Sequence, residues 1–461
     1  MPSPTTPEDT DRPAATTDVA DPAAAVDGAA GPGVSAGPKV RLMRNRNFAL
    51  LLGGQTISNL GSAVTFLVFP LIAVSTLHAS AFAVSVIAAA ASLSWLVASL
   101  PAGVWADRVR RRPILLGTDL LSAVLLVTVP LAAAWHVLSV VQMVLVSFGL
   151  GLANVVFNIA YPAFLPSVIP ADRLVEGNGM LEASNSATGI AGPGLGGLLV
   201  QVISAPVALI VDAVSFLVSA AAFTVMRVDE PRPERDEAAG GTGMLAEIGT
   251  GLRFVLGNAT IRALTVGVTV ANLVFGGYLA VEVVFLARQL QTPSGLIGLL
   301  FSMGGFGGIV GSLAAGPLAR RLGDARLLVL STAFTALFVM MLPLTGHGVA
   351  LTWFAVGSVM LTASVAAFNV CARAAIQRTA PHSMLGRVTA SIRVFSRGVL
   401  PIGALIAGVI ASADSPRTAL WVIMSIYVVV PVWMWFSPLG RVRNVSDLQP
   451  GSEPEVAPAA A

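Results

Sequence analysis

The apolar positions of this chain fall into long, nearly unbroken runs rather than into the alternating or every-third-residue patterns of soluble elements. Twelve such runs lie at about 48–75, 80–101, 113–134, 137–160, 174–202, 206–226, 260–287, 294–316, 326–346, 349–371, 386–412 and 418–437. Each approaches the roughly 20 residues an α-helix needs to cross a bilayer. Hydrocarbon offers no partner to an unpaired backbone amide, so each run is expected to be a helix. The pattern predicts an all-α polytopic membrane protein with twelve transmembrane helices.

The polar breaks divide the chain. The longest internal one, between 227 and 259, opens with a charged run from Arg227 to Glu237 and continues through Gly240, Gly241 and Gly243. Met244, Ile248, Leu252 and Val255 then recur at helical spacing, which predicts a short amphipathic helix lying on the membrane face. The expected organisation is a disordered tail over 1–41, a six-helix half over 42–227, a linker over 228–259, a second six-helix half over 260–440 and a disordered tail over 441–461, both tails being rich in Pro and Ala.

Composition agrees: 55% of residues are hydrophobic and 11% charged, against about 25% charged in soluble domains. The net charge of +3 conceals a sharp asymmetry. With the N-terminus inside, the inner loops hold sixteen arginines, from Arg108 to Arg443, and the outer loops only Arg288 and Arg417. That bias places both termini in the cytoplasm. It also accounts for the arginines without nucleic acid as a partner. The single lysine, Lys39, has no Gly-rich turn and helix around it, so the chain has no nucleotide-binding P-loop. The four histidines have no metal-ligand spacing, and no nucleophile turn occurs. An enzyme is not expected, and no metal or other cofactor.

The stretch from Gly103 to Leu115 is repeated, 213 residues on, from Gly316 to Leu328; Ala106 recurs as Ala319 and Arg108 as Arg321. Asn59 recurs as Asn272, and Phe157-Asn158 as Phe368-Asn369. Matches in one order at nearly one offset mean two similar halves. Gly103, Ala106, Asp107, Arg108, Arg111 and Arg112 resemble the loop between the second and third helices of the major facilitator superfamily, with Arg110 where that family prefers Gly. The resemblance covers about 42–440 and implies the major facilitator fold. It implies a gating loop of Gly103, Asp107, Arg108, Arg111 and Arg112, with Asp107 holding the halves together near the eleventh helix.

Gly192-Pro193 with Gly196-Gly197, in span five, resembles the family's antiporter signature. Pro193 and, in span eleven, Pro401 and Gly403 predict a broken helix in each half. Charges within spans are costly and functional by default. Asp119, Glu182, Asp212 and Glu282 are the candidates for binding a coupling proton, since a carboxyl taken out of water favours its neutral form. Each has a plainer role open to it. Asp119 could pair with loop arginines, Glu182 could form a static ion pair with its repeat mate Arg393, Asp212 could make a structural hydrogen bond, and Glu282 could meet outside water. Gln55 and Asn59 share a face of span one, as Asn154 and Asn158 do in span four; Asn272 and Asn369 are their counterparts in spans seven and ten. The resemblance implies a central cavity lined by spans one, four, seven and ten. Phe66, Phe69, Phe275 and Tyr278 would supply aromatic wall, which suits a lipophilic substrate.

Residues 45–51 and 55–61 are similar to the macrolide-efflux and siderophore-exporter branch of that family. The implied activity is proton-coupled efflux of a hydrophobic or amphipathic small molecule, such as an antibiotic, drug or secondary metabolite, by a monomer in a bacterial cytoplasmic membrane. The proton gradient would be its only energy source. An importer, an uncoupled facilitator of the same fold and a transport-inactive scaffold or sensor stay open as alternatives.

Overall fold

The computed structural model describes residues 42–228, 230, 244–381 and 384–448, leaving aside the side chains at 100, 103, 104, 106, 107 and 244–248. The expected tail over 1–41, residues 229 and 231–243 of the linker and the chain beyond 448 lie outside the described residues, as does the side chain of Asp107.

The first half contains α1 (Arg46–Ser75), α2 (Ala81–Arg108), α3 (Arg111–Ala134), α4 (Val140–Phe164), α5 (Leu174–Val202) and α6 (Ala205–Val225). A short α7 (Met244–Gly257) leads to α8 (Ala259–Val284), α9 (Ser294–Leu322), α10 (Asp324–Val339) and α11 (Thr352–Thr379). Spans eleven and twelve are each in two pieces: α12 (Leu385–Gly398) with α13 (Leu400–Ala413), and α14 (Pro416–Ile426) with α15 (Val429–Phe436).

Ten of these spans are long and apolar enough to cross a bilayer by length and composition alone. The two that complete the twelve fall short for visible reasons. α5 is diluted by Glu176, Asn178, Glu182 and Asn185, and α10 has only 16 residues. Helix ends follow local chemistry. Asn45, Ser80, Ser139 and Asn258 accept backbone N–H bonds at the starts of α1, α2, α4 and α8, as short polar caps do.

The two halves repeat their packing. α1 lies on α5 and α6, α2 on α4, and α3 on α4 and α6; correspondingly α8 lies on α13 and α14, α9 on α11, and α10 on α11 and α15. The halves meet through α5 against α9 and α2 against α13, again equivalent pairs. α7 seats on α12, where Gly251 packs on the backbone of Arg387, and Val255 joins a small apolar cluster with Ile261, Ala380, Val388 and Ile392.

Three expectations need correction. α5 runs through Pro193 as one helix, held by the packing of Gly192 and Gly196 on α1 and of Gly197 on α9; of the two expected breaks only that in span eleven is present, at Val399. The polar turn starting at Gly103 is mostly helix: α2 continues to Arg108, a basic residue that suits a helix C-terminus, and only Val109 and Arg110 separate it from α3. The chain after Arg441 stays packed as far as Leu448. Gly323 takes φ 93°, a left-handed conformation open to glycine, and beside it Arg443 O accepts from Ala325 N at 3.2 Å while Val445 N donates to Asp324 Oδ1 at 2.8 Å.

The gating-loop arginines tie helix ends together. Glu230 accepts from the backbone N–H of Arg111 (2.5 Å) and Arg112 (3.1 Å), placing a carboxylate on the N-terminus of α3. Arg112 donates from Nε to Phe223 O (2.7 Å) and from Nη2 to Thr224 O (2.8 Å), satisfying the last carbonyls of α6. Arg108 is exposed.

Candidate functional site

The end of the molecule carrying the starts of α1, α3 and α8 is called here the basic end. Contacts between the halves gather at the other, far end. Gly197 abuts Ser294 and Gly298, Gly194 N donates to Ser302 Oγ at 3.0 Å, and Phe82 N donates to Ser412 Oγ at 2.9 Å. Arg288 reaches across to Val74 O (3.3 Å) and Ala79 O (2.9 Å). Glu182 stands on the helical face of α5 that carries Gly189 and Pro193 into α9, seven and eleven residues further on. Yet Glu182 is exposed, and so is Arg393. Among the described residues, these contacts close the halves on each other at the far end. The expected ion pair between Glu182 and Arg393 is not formed: α5 packs on α9 whereas span eleven packs on α2, so the two side chains stand at different interfaces.

Between the halves lies a cavity of about 390 Å³. One face of α1 supplies Gln55, Ser58, Asn59, Ser62, Thr65, Phe66 and Phe69, spaced three and four apart as a single helical stripe must be. α2 adds Trp95, α3 Asp119 and Ser122, α4 Asn154 and Phe157, α6 Asp212 and Phe216, and α8 Leu279, Glu282 and Val283. Spans one, four and seven thus contribute as expected. Span ten does not: α11 packs on α9 and α10, and the wall is made by α2, α3 and α6 instead. Asn272 lies outside this lining and bonds its own helix at Val268 O (2.8 Å); Asn369 is exposed on α11, and Asn158 turns back to Asn154, at 2.8 Å to its carbonyl and 3.0 Å to its side chain. Of the expected aromatic wall, Phe66 and Phe69 take part, while Phe275 and Tyr278 stand outside the lining.

Three of the four candidate carboxylates border this cavity, and among the described residues no Lys, Arg or His does. Their environments differ. Asp212 is fully engaged: Thr65 Oγ1 donates to Oδ2 (2.5 Å) and Ser215 Oγ to Oδ1 (2.9 Å). Gly61 makes this possible, since a Cβ there would overlap both Ser215 Oγ and Asp212 Oδ1. Asp119 is 2% exposed and does not pair with the loop arginines. Its neighbour is Ser219, which itself accepts from Gln55 Nε2 at 3.2 Å, and Asp119 Oδ2 is buried with no hydrogen-bond partner. Glu282 is 3% exposed rather than open to outside water, and lies beside the Tyr278 hydroxyl. Asp119 and Glu282 belong to opposite halves.

This division of labour gives a direct expectation. Asp212→Leu strands the hydroxyl of Thr65 in a buried site, while Ser215 Oγ keeps the backbone carbonyl of residue 212 (2.8 Å), and should cost roughly 1–3 kcal/mol, seen as loss of folded protein in a detergent melt, whereas Asp212→Asn retains an acceptor and costs less. Equal stability of Asp212→Leu and the parent would remove Asp212 from this structural role.

Sequence reasoning missed two participants, Ser219 and Trp95. Ser219 is an unremarkable serine in an apolar run, and only the packing of α6 on α1 and α3 brings it between Gln55 and Asp119. Trp95 lines the cavity while Arg397, from the other half, stacks on its ring at 5.3 Å. A tryptophan in mid-span was the available signal for that pair.

The antiporter-like motif is a helix-packing device here. A Cβ on Gly192 would overlap Ala63 and one on Gly196 would press on Val64, both in α1, while Gly197 faces α9.

A family model described as Major Facilitator Superfamily matches residues 51–395 and 264–459. The multidrug efflux pump Tap of Mycolicibacterium fortuitum is 29% identical over 379 residues, which cover 79% of this chain and 89% of that protein. Among solved structures, a point mutant of the nucleoside transporter NupG aligns with a TM-score of 0.70 at 11% identity, over 85% of this chain and 98% of that one. A bacterial homologue of the human lysosomal transporter Spinster, inward-facing and unoccupied, aligns with a TM-score of 0.67 at 15% identity, over 90% and 100%. At such identities the two structures speak for the fold alone.

Proposed function

The chain belongs to the Major Facilitator Superfamily, a family of multi-pass membrane transporters, and on that premise we propose that it exports a hydrophobic or amphipathic small molecule in exchange for protons. The observation that carries the reading is the cavity itself. Its walls are largely aromatic and aliphatic, and a buried carboxylate with an unpartnered oxygen, Asp119, borders it. The efflux direction rests on the relative named a multidrug efflux pump.

On this reading the arginine-rich end faces the cytoplasm of a bacterial cell, with both termini on that side. Substrate enters between the halves and displaces water from Phe66, Phe69, Trp95 and Phe157. Gln55, Asn59 and Asn154 hold its polar groups. Asp119 and Glu282 are the two places where a proton can reside, one in each half. Neutralising a buried carboxylate stabilises the arrangement in which it is sealed from water, so proton and substrate bias the two states differently. On this reading Asp107 acts at the cytoplasmic gate, and a monomer is the transporting unit.

Drug accumulation in a pump-deficient bacterium tests this. Cells producing the protein should retain less of a lipophilic antibiotic or dye than cells with empty vector, and a protonophore should abolish the difference. Higher retention would make the protein an importer. A difference that survives the protonophore would make it independent of protons.

A further inference from the structure

Arg46, Arg112 and Arg227 converge on a second cavity of about 660 Å³, completed by the segment from Thr224 to Val228. The fold holds them there. Arg46 is the first residue of α1, and Arg112 is anchored to the end of α6 through Nε and Nη2, with Nη1 unspent among the described residues. The backbone of Arg227 is clamped by Asn47, whose Nδ2 donates to Arg227 O (2.9 Å) and whose Oδ1 accepts from Arg227 N (3.2 Å). Among the described residues no carboxylate borders this cavity. Glu230, close by in sequence, is already occupied by the backbone N–H groups of Arg111 and Arg112.

Three guanidinium groups around one space repel each other, and the arrangement is relieved when an anion enters. Guanidinium forks match phosphate oxygens in geometry as well as charge. The cavity lies where α1 and α3 begin and α6 ends, the level at which hydrocarbon gives way to headgroups. We propose that this crevice binds the phosphodiester headgroup of an anionic phospholipid, tying the lipid to the junction of α1, α3, α6 and the start of the linker. The assignment is independent of what the central cavity transports.

The test uses the full-length protein, purified in detergent and stripped of lipid. Phosphatidylglycerol, phosphatidylcholine and inorganic phosphate are added separately, with Tm and lipid retention in native mass spectrometry as readouts. Phosphatidylglycerol should raise Tm and remain bound, and the other two should not. In Arg46→Gln/Arg227→Gln, affinity for phosphatidylglycerol should fall about 25-fold, roughly fivefold for each arginine. Among the described residues neither side chain makes a hydrogen bond, so lipid-free Tm should match the parent and separate lost binding from lost folding. Undiminished affinity in the double variant, or equal retention of phosphatidylcholine, would overturn the proposal. A shift reproduced by inorganic phosphate would make the crevice a free-anion site and overturn the lipid assignment.

Discussion

Asp119→Asn is expected to collapse proton-driven accumulation of substrate to near its uncoupled level. Inside-out vesicles with an acidic interior make the expectation quantitative. For one proton exchanged per substrate, a gradient of about two pH units supports about hundredfold accumulation, because each pH unit is worth about 1.4 kcal/mol. Asn matches Asp in shape and can keep the contact with Ser219, so the cavity and the amount of folded protein should be unchanged. What disappears is the group that can gain and lose a proton beside the substrate. Asp119 is singled out by its surroundings. Asp212 has both oxygens occupied by Thr65 and Ser215, and Glu182 stands outside the cavity altogether. Full accumulation by Asp119→Asn would transfer the coupling role to Glu282, the remaining carboxylate on the cavity wall. Substrate binding, followed by quenching of tryptophan fluorescence, should survive the substitution.

Gly197→Leu should prise open the far end. Its Cβ would run into Ser294 O and come within 3.1 Å of Gly298 Cα, so α5 and α9 could no longer close there. Overpacking of this kind costs about 1–3 kcal/mol, which shifts a two-state balance roughly 5- to 150-fold toward the state with the far end parted. In a Cys371→Ser background, a cysteine placed at Phe69 on the cavity wall reports the change. Labelling in whole cells by a membrane-impermeant maleimide should accelerate by about tenfold or more when Gly197→Leu is added. Unchanged labelling, with normal abundance, would mean that this contact is not one the transport cycle breaks. The substitution therefore asks whether the Gly-Pro motif serves the opening and closing of the two halves, as its packing against α1 and α9 suggests.

Much of the fold was legible because lipid imposes a simple code: long apolar runs become helices, and the repeat of Gly103–Leu115 in Gly316–Leu328 announces two halves. The code weakens where function intrudes. α5 carries enough polar residues to read poorly as a span, yet it is one of the helices that join the halves. The stripe of Gln55 and Asn59 pointed correctly to the cavity face of α1, since helical spacing is local information. What α1 faces is not local. The chain Gln55–Ser219–Asp119 joins three helices across 164 residues, and Gly61 reads as a featureless glycine until Asp212 is found against it. Symmetry also misled. Asn272 and Asn369 repeat Asn59 and Asn158 in sequence, but the cavity lies nearer the first half, so the repeat mates do not share one wall. Glu182 and Arg393 are likewise related by the repeat, but α5 packs on α9 and span eleven on α2, so the mates stand at different interfaces. Arg288, one of only two arginines assigned to the far-end loops, finds its reason in the contact it makes with α1 and the loop leading into α2.

The most direct test of proton-coupled efflux is proton movement in proteoliposomes containing only this protein. Vesicles with an acidic interior and a trapped pH-sensitive dye would receive lipophilic antibiotics and dyes one at a time. The account predicts that a transported compound alkalinises the interior faster than the passive leak, that empty liposomes do not respond, and that Asp119→Asn abolishes the response. Uptake of the same compound without any proton release would contradict it and leave a facilitator driven by the substrate gradient alone.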